Sequence, residues 1–143
     1  MKILCRAFII LSVFMVSCAG TAPNILHVQA GPMGVSSKKI EINDKYLENN
    51  LSYGEVSIKP LGAAYSYEVQ VMLKNESMKD LAFEYRFVWY DANGYELSTM
   101  TSWMPAVLGS KESKGFLSVS PSANATGFRF MVRMPHPVTD TGS

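Results

Sequence analysis

Hydrophobic and polar residues alternate with a period of two along most of the chain after residue 38. Such alternation places one face of a β-strand on a core and the other face in water. The stripes are most regular over residues 65–73, 81–89 and 128–134. Shorter hydrophobic stripes are formed by Ile40 and Ile42, by Val56 and Ile58, and by Leu117 and Val119. The pattern therefore predicts about seven strands and little helix.

Turn signals separate these stripes. The run Asp91-Ala92-Asn93-Gly94 is typical of a tight hairpin, because Asp91 can accept bonds from the following backbone and Gly94 can adopt a positive φ. One short helical turn is predicted over residues 44–50, with Asp44 as its N-cap. We therefore expect an all-β fold, an immunoglobulin-like antiparallel β-sandwich with Trp89 in its core. A small barrel is the alternative, since it shares the same periodicity.

The first 20 residues follow a different pattern. Lys2 and Arg6 precede an apolar run over residues 7–16, and small residues come next, which is the layout of a secretory signal peptide. The apolar run is shorter than the roughly 20 residues that a membrane span needs. The segment Met15-Val16-Ser17-Cys18 resembles a bacterial lipobox. That resemblance implies cleavage before Cys18 and attachment of a diacylglycerol to its thiol.

These features predict a signal peptide over residues 1–17, a lipidated tether over residues 18–37 and a β-sandwich domain over residues 38–143. The tether prediction comes from its Pro, Gly and small residues. The hydrophobic residues over 25–28 could instead form a first strand that docks on the domain, and the pattern does not separate the two cases. An ordinary signal peptide, cut near Ala19 or Ala22, is the alternative to lipidation.

The lipoprotein interpretation also predicts a location. In enterobacterial lipoproteins, Asp directly after the lipidated cysteine tends to retain the protein in the inner membrane. Ala19 occupies that place here. The resemblance therefore implies transfer to the outer membrane, where the protein faces the periplasm and the membrane is bound through the N-terminal lipid.

Charge and cysteine content narrow the function classes. The 143-residue chain has 13 basic and 12 acidic side chains, and without Lys2 and Arg6 the balance is 11 to 12. This balance argues against nucleic acid as a partner, because neutralising phosphates requires a basic excess. Cleavage also removes Cys5, so no disulfide can form within the mature chain.

The segment Tyr85-Arg86-Phe87-Val88-Trp89-Tyr90-Asp91-Ala92-Asn93-Gly94-Tyr95-Glu96-Leu97 carries a family resemblance. It is similar to the "YRFxWYDxxGxE" pattern of the uncharacterised YcfL-like family of proteobacterial envelope lipoproteins. The order of the later segments, over residues 105–108, 109–115 and 127–130, fits the same family. The resemblance implies an immunoglobulin-like sandwich on a lipid anchor, and it brings no catalytic residues and no cofactor.

Residues suited to catalysis or metal binding are scarce in the sequence. His27 and His136 are its only histidines; we expect both to be exposed, one in the tether and one near the C-terminus. Neither lies in a recognisable metal-ligand spacing, so no metal site is predicted. Candidate partner-binding residues cluster around the hairpin and the segment after it, and they are Tyr90, Tyr95, Met100, Trp103 and Met104. Trp, Tyr and Met are common anchors of protein interfaces, although Trp103 could instead cap one end of the core.

Two function classes follow from these observations. The first is a lipid-anchored binding or accessory lipoprotein of the bacterial envelope, without catalysis and with an envelope protein as partner. The second is an envelope hydrolase that acts on peptidoglycan or lipid through Asp91 and Glu96. A carrier of small ligands would need an apolar cavity. Outward-facing arginines at positions 86, 129 and 133 could also form a basic patch for anionic glycans or lipid headgroups.

Overall fold

The computed structural model describes residues 22–31, 33–62, 66–97 and 102–136. These residues form two antiparallel sheets, so the predicted all-β sandwich is confirmed. The elements are β1 (Asn24–Gly31), β2 (Gly34–Glu41), α1 (Lys45–Asn50), β3 (Leu51–Leu61), β4 (Ser66–Asn75), β5 (Leu81–Tyr90), β6 (Met104–Leu108), β7 (Ser113–Val119) and β8 (Gly127–Arg133). The strand order is β2-β1-β8-β5-β6 in the five-stranded sheet and β3-β4-β7 in the three-stranded sheet. No helix among the described residues is long and apolar enough to cross a membrane.

Aromatic rings fill the space between the two sheets. Tyr85 and Phe116 face each other from opposite sheets, with their ring centres 4.6 Å apart. Trp89 is buried, as predicted, and its indole packs edge-on against Tyr67 at 5.5 Å. The indole N–H of Trp89 also donates a 3.0 Å hydrogen bond to the hydroxyl of Ser118 on β7. Aromatic packing and this hydrogen bond therefore connect the two sheets around Trp89.

The sandwich begins earlier in the chain than the predicted boundary at residue 38. Residues 24–31 form β1, which lies between β2 and β8 inside the five-stranded sheet. The prediction of a tether over residues 18–37 is therefore wrong for this part, and the first-strand alternative is correct. Leu26, Val28 and Ala30 drive the docking, because all three are buried in the core.

The stripe that begins at Ile40 is not a core stripe. Residues 34–41 form the edge strand β2, and Ile40 is exposed. A five-stranded sheet is wider than the three-stranded sheet that covers it, so the side chains of its outermost strand lack an opposing layer. The shorter stripe at Leu117 and Val119 does form the predicted strand, β7, although both residues face solvent and Phe116 enters the core.

Tyr67 on β4 joins the two sheets through a hydroxyl that is buried in the core. This hydroxyl lies 2.8 Å from the carbonyl oxygen of Ala30 and 2.9 Å from that of Ala125. The backbone N–H of Tyr67 donates to the hydroxyl of Ser120, and its carbonyl accepts a bond from the N–H of Ser120. Tyr67 therefore binds β1, the segment before β8 and the end of β7 at once.

Tyr53 on β3 presents a contrasting hydroxyl. It packs edge-on against Phe130, with 6.4 Å between ring centres, and its oxygen is buried without a hydrogen-bond partner among the described residues. Burial raises the pKa of Tyr53 above its ordinary value. The two tyrosines thus differ in one respect that can be measured, which is whether the buried hydroxyl is bonded.

Removing the hydroxyl should affect the free energy of unfolding differently at the two positions. We expect Tyr67→Phe to lower the free energy of unfolding by about 1–3 kcal/mol, because it removes the single O–H donor that two buried carbonyls share. Tyr53→Phe should leave that free energy unchanged or raise it, because an unbonded buried hydroxyl costs desolvation without compensation. Urea unfolding followed by tryptophan fluorescence measures both changes.

The tyrosine pair serves as its own control, since the same atom is removed at both positions. Equal destabilisation by the two substitutions would contradict the hydrogen-bonding pattern. A second readout comes from alkaline pH. Unfolded Tyr53 ionises near pH 10 while the buried residue stays neutral, so stability is lost as pH rises above about 10, and Tyr53→Phe should reduce that loss.

Candidate functional site

The predicted hairpin after β5 is present, and Asp91 organises it. One carboxylate oxygen of Asp91 accepts hydrogen bonds from the backbone N–H groups of Asn93 and Tyr95, each at 2.9 Å. Gly94 adopts a φ of +83°, which favours glycine, and its N–H donates to the carbonyl of Asp91. This turn lies at one end of the five-stranded sheet, together with Met33 and the segment over residues 120–126. We call this end of the sheet the hairpin end.

An open groove of about 890 Å³ lies over the outer face of the five-stranded sheet at its hairpin end. β2 forms one wall, the hairpin forms the other, and β1, β8 and the segment before β8 form the floor. Ala30 and Ala125, whose carbonyls are held by Tyr67, both line it. Tyr67, which is buried in the core, therefore holds part of the floor of the groove in place.

Strand register places three basic side chains in one row across this groove. His27 on β1 pairs with Lys39 on β2 and with Arg129 on β8. The ring nitrogen Nε2 of His27 lies 3.1 Å from a carboxylate oxygen of Glu41. Hydrogen bonds from Asn43 and His27 lower the pKa of Glu41. The groove thus carries both signs of charge, because Glu41 and Asp91 line it together with the three basic residues.

His27 is the site residue that sequence reasoning placed least well. It was expected in an exposed tether, and it lies instead on β1, half-buried in the groove. The error follows from the boundary at residue 38, because a residue in a tether has no fixed neighbours. His136 is exposed, as expected. The described residues contain no group of three or more His, Cys, Asp or Glu side chains placed to hold a metal ion.

Tyr90 lies in the groove beneath Arg129. The guanidinium carbon of Arg129 is 4.5 Å from the centre of the Tyr90 ring, within the range of a cation–π contact. Burial raises the pKa of Tyr90, and the charge of Arg129 partly offsets this effect. The prediction that Tyr90 lies on a binding surface remains a prediction, but its place in the groove is compatible with that role.

Trp103 lies on the same face of the sheet, closer to its other end. The guanidinium carbons of Arg86 and Arg133 are 4.6 Å and 4.0 Å from its ring centre. Arg133 also donates a 2.6 Å hydrogen bond to Glu84, and both of these side chains are largely buried. The Nε atom of Arg86 is buried without a partner among the described residues. Trp103 therefore covers the outer face of the sheet and does not cap the core.

The predicted partner-binding residues do not form one cluster. Tyr90 lines the groove, Tyr95 is exposed on the hairpin, and Trp103 stacks with the arginines beyond. Met104 begins the edge strand β6 and is 51% exposed. Met100 and Cys18, the predicted lipidation residue, lie outside the described residues. The sequence signal that marked the site best was the outward arginines on β5 and β8, since all three of them stack on aromatic rings.

The proposed carboxylate pair of a hydrolase is only half present in the groove. Asp91 lines the groove, but one of its oxygens is occupied by two backbone N–H groups of the turn. Glu96 lies opposite Tyr90 in an isolated bridge, is exposed, and does not line the groove. The role of Asp91 that the geometry supports is therefore to hold the hairpin turn together.

Comparison with known proteins places the chain in a family. Residues 38–134 match the family described as "Protein of unknown function (DUF1425)". The chain belongs to the DUF1425 family. The match leaves out β1, although β1 lies inside the sheet of this DUF1425 member.

A crystal structure of a DUF1425 family member from Shewanella sp. pv-4 shows the same fold. The two proteins are 22% identical, and the alignment covers 86% of this chain and 96% of that chain with a TM-score of 0.54. At this identity the likeness supports the fold alone. No curated protein matches the sequence.

The Trp103 stack yields a testable prediction about Glu84. Two guanidinium groups share one indole, and Glu84 supplies a carboxylate that pairs with one of them. We expect Glu84→Gln to lower the free energy of unfolding by about 1–3 kcal/mol, because it leaves a largely buried arginine without its counter-charge. Urea unfolding at low and at high salt should show a larger loss at low salt.

Glu55→Gln is the matched control, since Glu55 is exposed on β3. It should change the free energy of unfolding by no more than about 0.5 kcal/mol. A loss at Glu84 no greater than that at Glu55 would show that the ion pair contributes nothing.

Proposed function

We propose that this DUF1425 protein is a lipid-anchored binding protein of the bacterial cell envelope, which holds a partner and catalyses no reaction. The anchor is inferred from the lipobox-like segment that ends at Cys18. The groove at the hairpin end is the observation that carries the binding role. Ala19 supports a location at the periplasmic face of the outer membrane, where an envelope protein is the expected partner.

The groove is suited to binding because its walls are fixed before a partner arrives. Tyr67 holds the carbonyls of Ala30 and Ala125 in the floor, and Asp91 holds the hairpin wall. A preorganised surface avoids part of the entropy cost of ordering loops on association. The mixture of His27, Arg129 and Asp91 offers hydrogen bonds of both polarities to a partner.

The predicted pair of Asp91 and Glu96 does not give the arrangement that catalysis by paired carboxylates requires. Such catalysis needs two acidic groups about 5–10 Å apart on either side of the bond that breaks. Asp91 is engaged in its turn, and Glu96 lies outside the groove. These facts favour binding over the hydrolase alternative.

The anchor makes a prediction about mass and location. Protein isolated from the native membrane fraction should begin at Cys18 and carry acyl chains, because the thiol of Cys18 is the attachment atom. Cys18→Ala should abolish both the acyl mass and the membrane association. Intact-mass spectrometry of the membrane and soluble fractions measures the two effects together.

A soluble, unacylated native protein that begins beyond Cys18 would contradict the anchor. A Cys5→Ala variant is the matched control, since this residue belongs to the predicted signal peptide. It should leave the mass of the mature protein unchanged.

The groove makes a separate prediction about partner contact. A photoreactive residue at Gln29 or Ser37, both exposed in the groove, should crosslink to an envelope component in living cells. The same residue at Ser57, which is exposed on the three-stranded sheet, should not. Adding Arg129→Ala should lower the yield at Gln29 by about tenfold, which corresponds to about 1.4 kcal/mol of binding energy.

Equal crosslinking from position 57, or a yield at position 29 that Arg129→Ala does not change, would show that the groove is not the contact site. Gel mobility identifies the adducts, and mass spectrometry identifies the crosslinked component. Because the unfolding curve of Arg129→Ala can be recorded beside it, a loss of fold is separable from a loss of contact.

A further inference from the structure

The start of β1 is fixed rigidly to the start of α1 by the side chain of Asn24. This side chain is buried; its amide donates a 3.0 Å bond to the carbonyl of Asp44, and its oxygen accepts bonds from the N–H groups of Asn43 and Asp44 at 2.8 and 2.7 Å. Asp44 in turn caps α1 by accepting from Tyr46 and Leu47. The point at which the chain enters the sandwich is therefore tied to α1.

Two loops join α1 in one surface. The N–H of Glu76 donates to the carbonyl of Asn50 at the end of α1. The N–H of Asn75 donates to the carbonyl of Glu112, and the hydroxyl of Ser110 donates to the carbonyl of Ser77 at 3.1 Å. We call the surface formed by residues 42–50, 76–80 and 109–112 the anchor end.

The anchor end and the hairpin end lie at opposite ends of the sheet. β1 begins at Asn24 beside the anchor end, and it ends at Gly31 beside the hairpin end. A strand rises about 3.3 Å per residue, so the two ends of β1 are about 23 Å apart.

Covalent geometry limits how far the anchor end can stand from a lipid on Cys18. Ala22 is the first described residue, and four residue steps separate it from Cys18. A fully extended chain spans at most about 3.6 Å per residue, so these two Cα atoms are no more than about 14 Å apart. If Cys18 is lipidated as proposed, its Cα lies at the headgroup level and the anchor end is held next to the bilayer.

The anchor end presents two large exposed side chains that suit a membrane interface. Met78 is 80% exposed and Tyr46 is 56% exposed. Tyrosine is enriched at membrane–water interfaces because its ring is apolar and its hydroxyl is polar. An exposed methionine adds a flexible apolar contact.

The charges of the anchor end decide which kind of lipid surface it fits. It carries three basic residues, Lys45, Lys79 and Lys111, and five acidic residues, Asp44, Glu48, Glu76, Asp80 and Glu112. Several of the acidic groups are bonded locally; Glu112, for example, accepts from the N–H of Gly109 at 2.6 Å. A net acidic surface is repelled by anionic headgroups.

We propose that the anchor end rests on a neutral, zwitterionic bilayer surface, with Tyr46 and Met78 in its interfacial zone, so that the hairpin end points away from the membrane. This inference rests on the proposed lipidation of Cys18. It assigns the bilayer to the anchor end and leaves the hairpin end in the aqueous compartment. The groove, on the outer face of the sheet, then opens parallel to the bilayer surface and presents its basic row to a partner in that compartment.

Natively lipidated protein allows a direct test. Acylation blocks the thiol of Cys18, so a cysteine introduced elsewhere is the single free thiol for an environment-sensitive fluorophore. We would label Met78→Cys, the matched control Met33→Cys, whose methionine is fully exposed in the turn at the hairpin end, and Leu117→Cys on the flank of the three-stranded sheet. The labelled proteins are reconstituted in phosphatidylcholine vesicles with and without spin-labelled lipid.

Spin-labelled lipid should quench the fluorophore at position 78 several-fold more strongly than at positions 33 and 117. Quenching at position 117 as strong as that at position 78 would overturn the proposal, because the molecule would then lie on its flank. Equal, weak quenching at all three positions would also overturn it. Vesicles that contain phosphatidylglycerol should not strengthen the signal at position 78, and a clear increase would contradict the neutral-surface assignment.

The mass of the same preparation separates this proposal from the proposed function. An acylated protein that shows no quenching at position 78 overturns the orientation and leaves the lipid anchor standing. A protein without acyl chains overturns the anchor, and the orientation falls with it.

Discussion

The hydroxyl of Tyr67 is the group on which the arrangement of the two sheets depends most directly. It is buried between them and reaches two carbonyls, that of Ala30 on β1 and that of Ala125 in the segment before β8, while its backbone is paired with Ser120. Aromatic packing supplies most of the apolar contact in the core, but packing has no direction. A buried hydrogen bond does have a direction, and leaving either carbonyl unbonded is costly. The same bonds also fix the floor of the groove, so they contribute both to the stability of the fold and to the shape of the candidate site.

Alternation along the sequence was sufficient to predict the strands that lie in the middle of the sandwich. β4, β5 and β8 have the predicted inward residues, because the opposite sheet covers each of these strands and every second side chain must be apolar. The edges were predicted less well. Ile40 on β2 follows the same alternation and is exposed, because an opposing layer is a property of the whole fold and not of a local pattern. The strand β1 was left undecided for a related reason, since its glycine- and proline-containing surroundings also fit a tether.

The candidate site was predictable in its parts and not in its assembly. Asp91 and Gly94 signalled the hairpin through turn chemistry that acts over four residues. The row of His27, Lys39 and Arg129 spans three strands that are distant in the chain, and only strand register places these residues side by side. The outward arginines were visible as a pattern, whereas the stack on Tyr90 depends on the register of β5 and β8, and the stack on Trp103 depends on where the chain returns to the sheet after the hairpin.

Each of the two outermost strands of the larger sheet has a feature that hinders pairing with a strand of another chain. Pro105 in β6 has no N–H to donate, and β2 places Lys38 and Lys39 side by side along the other border. Both features discourage another strand from extending the sheet. Both borders of the larger sheet therefore disfavour strand addition, and recognition there is left to side chains and not to an open backbone border.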